Sequence, residues 1–194
     1  MMGDTDISQV EGNTSPEIKR AMLARVQYLA TGHVTQSTGE QFGTFESKIA
    51  SRLRLIEVSI LPKAEEPEKL EGRVVFEVIV DEEMANYIGP LHGGVAAILI
   101  DDCSSMPFYL IGLATSGHVT TYVYVLVSQS LNIVYHSPAL LGDKLRVVST
   151  TLTVGNRMLS SRCEVWNTTR HKLVASAVHV KMNPSEQKAT SAKL

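Results

Sequence analysis

The stretch that begins at Gly93 limits most strongly what this chain can fold into. A Gly-Pro-Leu-His-Gly-Gly turn, residues 89–94, opens onto Val95-Ala96-Ala97-Ile98-Leu99-Ile100 and then the acid pair Asp101-Asp102. The spacing predicts a long helix that is apolar on nearly every side. Such a helix must be covered by more than one surface. The apolar run Val95–Ile100 is far too short to span a bilayer, so a buried core helix is expected and no membrane. A buried carboxylate is costly unless it is paired, hydrogen-bonded or protonated, so the acid pair needs a reason.

The rest of the chain supplies the covering surfaces. Ser15-Pro16-Glu17 reads as a helix start, and Ile18, Met22, Val26 and Leu29 form one helical stripe ending at Thr31-Gly32. Phe45, Ile49 and Leu53 predict a second short helix. Leu55–Leu61 and Val74–Val80 read as strands joined by a charged hairpin loop, KAEEPEKLEG. After the long helix come four β-rich runs: Tyr122–His136, Lys144–Val154, Met158–Asn167 and Lys172–Met182. Runs of strands around one long helix predict an α+β fold with an antiparallel sheet of about five to six strands, curled round the central helix, plus an extra N-terminal helix. The expected organisation is a disordered 1–14, a helical extension at 15–44, the sheet-and-helix domain at 45–183 and a flexible tail at 184–194.

Charge and motif content exclude several classes. The net charge is −2 with both signs interspersed, which argues against nucleic acid as a partner. Two cysteines, Cys103 and Cys163, cannot build a disulfide framework. The N-terminus is acidic and polar, unlike a signal or transit peptide. No G-x-S-x-G elbow, P-loop, G-x-G-x-x-G or Cys-x-x-Cys is present, and the six histidines show no metal-ligand spacing. No metal or redox cofactor is therefore expected. The last three residues, Ala192-Lys193-Leu194, resemble a peroxisomal address, which predicts an import receptor as a partner and a peroxisomal location, with the cytoplasm as the alternative.

The candidate chemistry gathers around the glycine turn. Gly94, Ile98, Asp101 and Ser105 share one helical stripe, while Asp102 is rotated by about 100° from Asp101. A helix start offers unpaired N–H groups and positive partial charge, which can hold an oxyanion. A carboxylate nearby can orient or deprotonate water. Together these would hydrolyse an acyl bond without a protein nucleophile. On spacing alone, a plain turn with solvated surface acids is the better fit.

A family resemblance separates the two. The run Asn86-x5-His92-Gly93-Gly94-x6-Asp101, with Asn132-Ile133-Val134-Tyr135-His136-Ser137-Pro138-Ala139 and Leu141-Gly142-Asp143 downstream, resembles the hotdog-fold acyl-CoA thioesterases of the PaaI and thioesterase-superfamily-member-2 type. The similarity covers roughly Phe45 to Asn183. It implies a hotdog fold, an acyl-CoA substrate with coenzyme A present only as part of it, and a homodimer or dimer of dimers with sites between subunits. Residue by residue, it implies that Asn86 and the Gly93 N–H hold the thioester carbonyl, that Asp101 activates water, that Ser128 assists and that His92 shapes the turn. Asp101 should come from one subunit, and Asn86 with Gly93 from the other. Gly94, Ser137 and Pro138 are implied substrate contacts. Arg157, His179 and Lys181 are candidates for the coenzyme A phosphates on the surface. With the peroxisomal address, fatty acyl groups lead as substrates.

Two departures stand out. The segment from Asp101 to Ser128 is longer than in these relatives, which predicts an extended helix or a lid, with Pro107, Phe108, Tyr109 and Tyr122 available to line an acyl tunnel. The helix at 15–31 is extra. Alternating residues 124–132 place Ser128, Ser130 and Asn132 on one polar strand face. A hotdog dehydratase or hydratase, or a non-catalytic acyl-CoA-binding protein, are the alternative functions; the Asn-Gly-Asp set favours hydrolysis.

Overall fold

The computed structural model describes residues 6–31, 33–34, 41–116 and 126–183. In chain order the elements are α1 (Pro16–Thr31), β1 (His33–Val34), β2 (Gln41–Phe42), α2 (Phe45–Ala50), β3 (Arg54–Pro62), β4 (Leu70–Ile79), a short 3-10 turn (Glu82–Met84), α3 (Gly93–Ser116), β5 (Val127–Tyr135), β6 (Lys144–Val154), β7 (Met158–Asn167) and β8 (Lys172–Met182). β1 and β2 form a small ladder of their own. The other strands form one six-stranded sheet in the order β3-β4-β6-β7-β8-β5, antiparallel at every step.

The expected fold class holds: an antiparallel sheet wraps one long helix. α3 lies against the inner face of β4, β6, β7 and β8. Leu99, Ile100, Cys103 and Leu110 are buried there with Val74, Phe76, Leu145, Val147, Cys163 and Val165. Alternation along the strands makes this possible, since every second residue faces the helix. The second covering surface is helical: α1 and α2 pack on each other and on α3, burying Met22, Val26 and Ile49. By length and composition alone, Gly93–Thr115 could cross a membrane, yet 67% of its apolar 18-residue window is buried in the fold.

α3 accepts Pro107 in its interior, although proline removes one helical hydrogen bond. It continues to Ser116, so the long segment after Asp101 is helical that far. A Cβ at Gly72 would meet the Pro107 carbonyl oxygen at 2.9 Å, so the close approach of β4 to the helix requires glycine there.

Several boundaries differ from expectation. β4 starts at Leu70 rather than Val74, because the hairpin closes early through Lys63 N–H to the Lys69 carbonyl (2.9 Å). α2 ends at Ala50, short of Leu53. Residues 6–14 are not a disordered end. Val10 is buried, Glu11 bridges Glu57 in parallel, and Asn13 exchanges two hydrogen bonds with the Ile60 backbone (2.8 and 2.9 Å). This segment covers the outer edge of β3, satisfying backbone groups that an edge strand would otherwise leave open. Residues 1–5, Tyr122 and the tail 184–194, with Ala192-Lys193-Leu194, lie outside the described residues.

Candidate active site

The glycine turn is fixed from three directions. Leu91 N–H donates to the Ala139 carbonyl and His92 N–H to the Met84 carbonyl, both at 2.8 Å. Gly94 N–H donates to Nδ1 of His92 at 2.9 Å. Gly93 N–H, between these committed amides, makes no hydrogen bond among the described residues, and it points out of a helix start. Asn86 uses Oδ1 to accept from Ile88 N–H (2.9 Å), which leaves its Nδ2 as a donor. The tight turn depends on Gly89, whose φ of 107 suits glycine.

Asn86 and Gly93 line one groove of about 390 Å³, together with Tyr135, Pro138 and Ala139. The Pro-Ala loop is braced by buried Asp143, which accepts from Leu140 N–H (2.7 Å), Asn167 (2.7 Å) and Arg170 (3.0 Å). Ser137 spends its hydroxyl on the Leu173 carbonyl at 2.5 Å and so pins this loop. Gly94 is committed to His92, and His92 to Gly94, so both residues shape the turn.

Asp101 lies elsewhere. Its carboxylate lines a separate cavity of about 190 Å³ with Arg25, Glu46, Asp102 and Lys181. Eight helical positions separate Gly93 from Asp101, roughly 12 Å along the axis. Within one chain the Gly93 N–H and the Asp101 carboxylate are therefore too far apart to meet at a single carbonyl group.

Around Asp101 the structure assembles a hydrogen-bonded cluster. Ser128 Oγ donates to Asp101 Oδ1 at 3.3 Å and pairs with His179 Nε2 at 2.9 Å. His179 Nδ1 meets Ser104 Oγ at 2.6 Å, and Nε2 lies 3.5 Å from Asp101 Oδ1. With the Ser128 hydrogen on Asp101, consistent bonding puts the imidazole proton on Nε2. Burial, then the charge of Lys181, pulls His179 down to about 4, against the opposing pull of Asp101. The imidazole is thus neutral at pH 7.

His179 and Lys181 correct the sequence reading. His179 is 0% exposed and cannot meet a phosphate on the surface. The Lys181 side chain is 12% exposed; its ammonium donates to Ser105 Oγ at 2.7 Å and lies 3.9 Å from Asp101. Burial lowers its pKa. Arg157 alone of the three is exposed. The expected polar face of Ser128, Ser130 and Asn132 is also split. A register shift after Ser128 pairs it with Lys181 and Ser130 with Val180, which puts the two serines on opposite faces. That bulge aims Ser128 inward at His179.

Asp102 differs from its neighbour in kind. Burial, then the facing charges of Glu46 and Asp101, pushes it up to about 8, so it is protonated at pH 7. It shares a hydrogen bond with Glu46, while its Oδ2 is buried with no hydrogen-bond partner among the described residues. Of the expected tunnel residues, Tyr109 lines the cavity, whereas Phe108 is 1% exposed in the core and Pro107 is buried.

A six-stranded antiparallel sheet wound about one long helix that opens at His-Gly-Gly is a hotdog fold. The chain belongs to the thioesterase superfamily, whose family model, described as Thioesterase superfamily, matches residues 88–174. Human acyl-coenzyme A thioesterase 13 is 34% identical over 110 residues, which is 57% of this chain and 72% of that protein. The mouse counterpart is 32% identical over 115 residues, 59% of this chain and 73% of that protein. Among solved structures, zebrafish thioesterase superfamily member 2 superposes with a TM-score of 0.55 at 26% identity, over 73% of this chain and 87% of that one. A protein from Streptococcus pneumoniae described as a hypothetical thioesterase and solved with coenzyme A shares the fold, with a TM-score of 0.50 at 22% identity over 58% of this chain and 79% of that one.

Proposed function

We propose that this protein hydrolyses acyl-coenzyme A thioesters to a free acid and coenzyme A, in a site completed by two subunits. The observation that carries this reading is the separation of two uncommitted donors, Gly93 N–H and Asn86 Nδ2, from the Asp101 cluster by about two helical turns. A second copy in antiparallel apposition brings one set against the other. Strand β5 offers the surface for that contact: it ends the sheet, and Val127, Val134 and Tyr135 are exposed along it.

In this reading the thioester carbonyl oxygen sits between Gly93 N–H and Asn86 Nδ2 of one subunit. Water held by Asp101 and Ser128 of the other attacks the carbonyl carbon as Asp101 takes its proton. The tetrahedral oxyanion collapses, the carbon–sulfur bond breaks, and the proton passes from Asp101 to the departing thiolate. His179 keeps Ser128 turned toward Asp101 and, being neutral, does not neutralise the carboxylate. The human relative named an acyl-coenzyme A thioesterase and the neighbour solved with coenzyme A support the substrate class. No metal or redox group enters any step. The exposed Arg157 is the candidate contact for a coenzyme A phosphate, and import into peroxisomes through Ala192-Lys193-Leu194 is tested by deleting those residues in a tagged protein.

The direct test is thiol release from an acyl-CoA panel. Asp101→Asn is expected to lower turnover by at least about 100-fold, with the oligomer intact by light scattering. Undiminished turnover would remove Asp101 from the mechanism.

A further inference from the structure

Four side chains form one unbroken line of hydrogen bonds that ends on Asp101. Ser104 Oγ meets His179 Nδ1 at 2.6 Å, His179 Nε2 meets Ser128 Oγ at 2.9 Å, and Ser128 Oγ lies 3.3 Å from Asp101 Oδ1. Both ends of the line belong to α3, and its middle comes from β8 and β5. Ser104 and His179 are both buried. Two arrangements of the hydrogens are self-consistent. In the first, Ser104 donates to Nδ1, Nε2–H donates to Ser128, and Ser128 donates to Asp101. In the second, Nδ1–H donates to Ser104, Ser128 gives its hydrogen to Nε2, and Asp101 receives none. Ser104 then turns its own hydrogen to the Asp101 backbone carbonyl at 3.3 Å.

We propose that Ser104 is a positioning residue: by donating to Nδ1 it fixes the His179 hydrogen on Nε2 and so turns every hydrogen in the line toward Asp101. The proposal rests on the hydrolytic reading above, in which Asp101 and Ser128 hold the attacking water. The bond lengths favour this arrangement. At 2.6 Å the Ser104 contact lies within the range of bonds given by a hydroxyl and below that of bonds given by N–H. The His179–Ser128 contact, at 2.9 Å, has the usual length of a bond given by N–H. Nε2 also lies 3.5 Å from Asp101 Oδ1, where an N–H is attracted to the carboxylate and a bare lone pair is repelled.

The same bond keeps the ring neutral. A nitrogen whose lone pair already accepts a hydrogen bond resists a second proton. The charged groups facing the ring are Lys181 of β8 and Asp101 of α3. Burial and then Lys181 draw His179 down to about 4, against the opposing pull of Asp101. Ser104 acts with burial and Lys181 by occupying Nδ1. With Nδ1 open, an imidazolium would form beside Asp101 and pair with the carboxylate that takes the proton from water. Ser161 gives an internal comparison. Its buried hydroxyl donates to the Ser104 carbonyl at 2.8 Å, anchoring the same turn of helix through the backbone.

Long-range proton–nitrogen correlation spectra of 15N-labelled protein read the His179 tautomer directly. In the wild type at pH 7 the hydrogen is expected on Nε2. A hydrogen on Nδ1 overturns the proposal, and this measurement needs no variant to fold. In Ser104→Ala, His179 is expected to titrate at least about one pH unit higher. Its kcat for thiol release should fall about tenfold with KM within about twofold. Ser161→Ala, which loses a buried hydrogen bond to the same residue, should lower Tm while the His179 titration stays in place and kcat holds within about twofold. An unmoved His179 titration in Ser104→Ala overturns the proposal. So does Ser161→Ala if it moves the titration and kcat equally, because the effect is then a general loosening of the helix. No thiol release from any acyl-CoA overturns the hydrolytic reading, while the Nε2 hydrogen and the Ser104→Ala titration still confirm the arrangement.

Discussion

Tyr135 donates its phenolic hydrogen to the carbonyl oxygen of Gly93 at 2.9 Å. Its ring lies 3.7 Å from where a Gly93 side chain would begin. The last residue of β5 thereby steadies the first residue of α3, whose N–H is the proposed carbonyl donor. The peptide after Gly93 is held from its other end as well, by Gly94 N–H on His92. Tyr135→Phe keeps the ring and loses the hydroxyl. It is expected to lower kcat about tenfold, or ~1.4 kcal/mol, while KM moves less than about twofold. An unchanged kcat in steady-state thiol release would show that this contact only packs the turn.

A site shared between subunits predicts complementation. Asp101→Asn and Asn86→Ala should each be nearly inactive alone. When the two chains are co-expressed, random pairing puts one intact site into half of the dimers, so activity should recover to about a quarter of wild type. Chains that keep both halves of a site to themselves would show no recovery.

Two buried groups give opposite pH signatures. His179 sits at about 4 in the fold, below its usual 6.5, so its contribution is complete above pH 6.5 and is lost as pH falls toward 4. Asp102 sits at about 8, above its usual 3.8, so its contribution is complete below pH 3.8 and is lost as pH rises toward 8. Asp102→Asn should therefore gain in Tm relative to wild type as pH is raised from about 5 to 8. His179→Gln should flatten the wild-type decline between about pH 6.5 and 4. Melting curves across that range test both signs.

The N-terminal segment contributes stability through Asn13, whose side chain bonds both polar backbone atoms of Ile60. Asn13→Ala is expected to cost about 1–2 kcal/mol and to lower Tm by a few degrees. A Tm unchanged within error in calorimetry would mean that the segment rests on the sheet without supporting it.

The readable features were those written in side-chain periodicity. The all-round apolar pattern of α3 required two coverings, and the last three strands begin and end where their alternation does. The segment at 6–14 escaped because it is attached to the backbone of β3 through the Glu11 backbone and the polar side chains of Asn13 and Thr14, which leaves no period in so short and polar a sequence. His179 was misplaced for want of register. Once β8 is aligned, Ala175, Ala177 and His179 fall on one buried face, and that alternation was available as a signal. The cluster at Asp101 was harder to foresee, because a bulge turns Ser128 inward and a bulge breaks the alternation used to predict faces. Glu46 was invisible as a partner for Asp102, since only the packing of α2 on α3 brings them together.

The strip of chain from Val10 to Thr14 has a consequence for assembly. A sheet bare at both margins is a template that can be copied indefinitely, each new molecule offering a fresh margin to the next. Here one margin is already occupied by the molecule's own N-terminal segment, and among the described residues only β5 is left to recruit backbone. Two molecules that pair there consume each other's last vacancy, and no third can extend the ladder. A few polar residues ahead of the first helix would in this way turn an open-ended polymerisation into one that terminates at two.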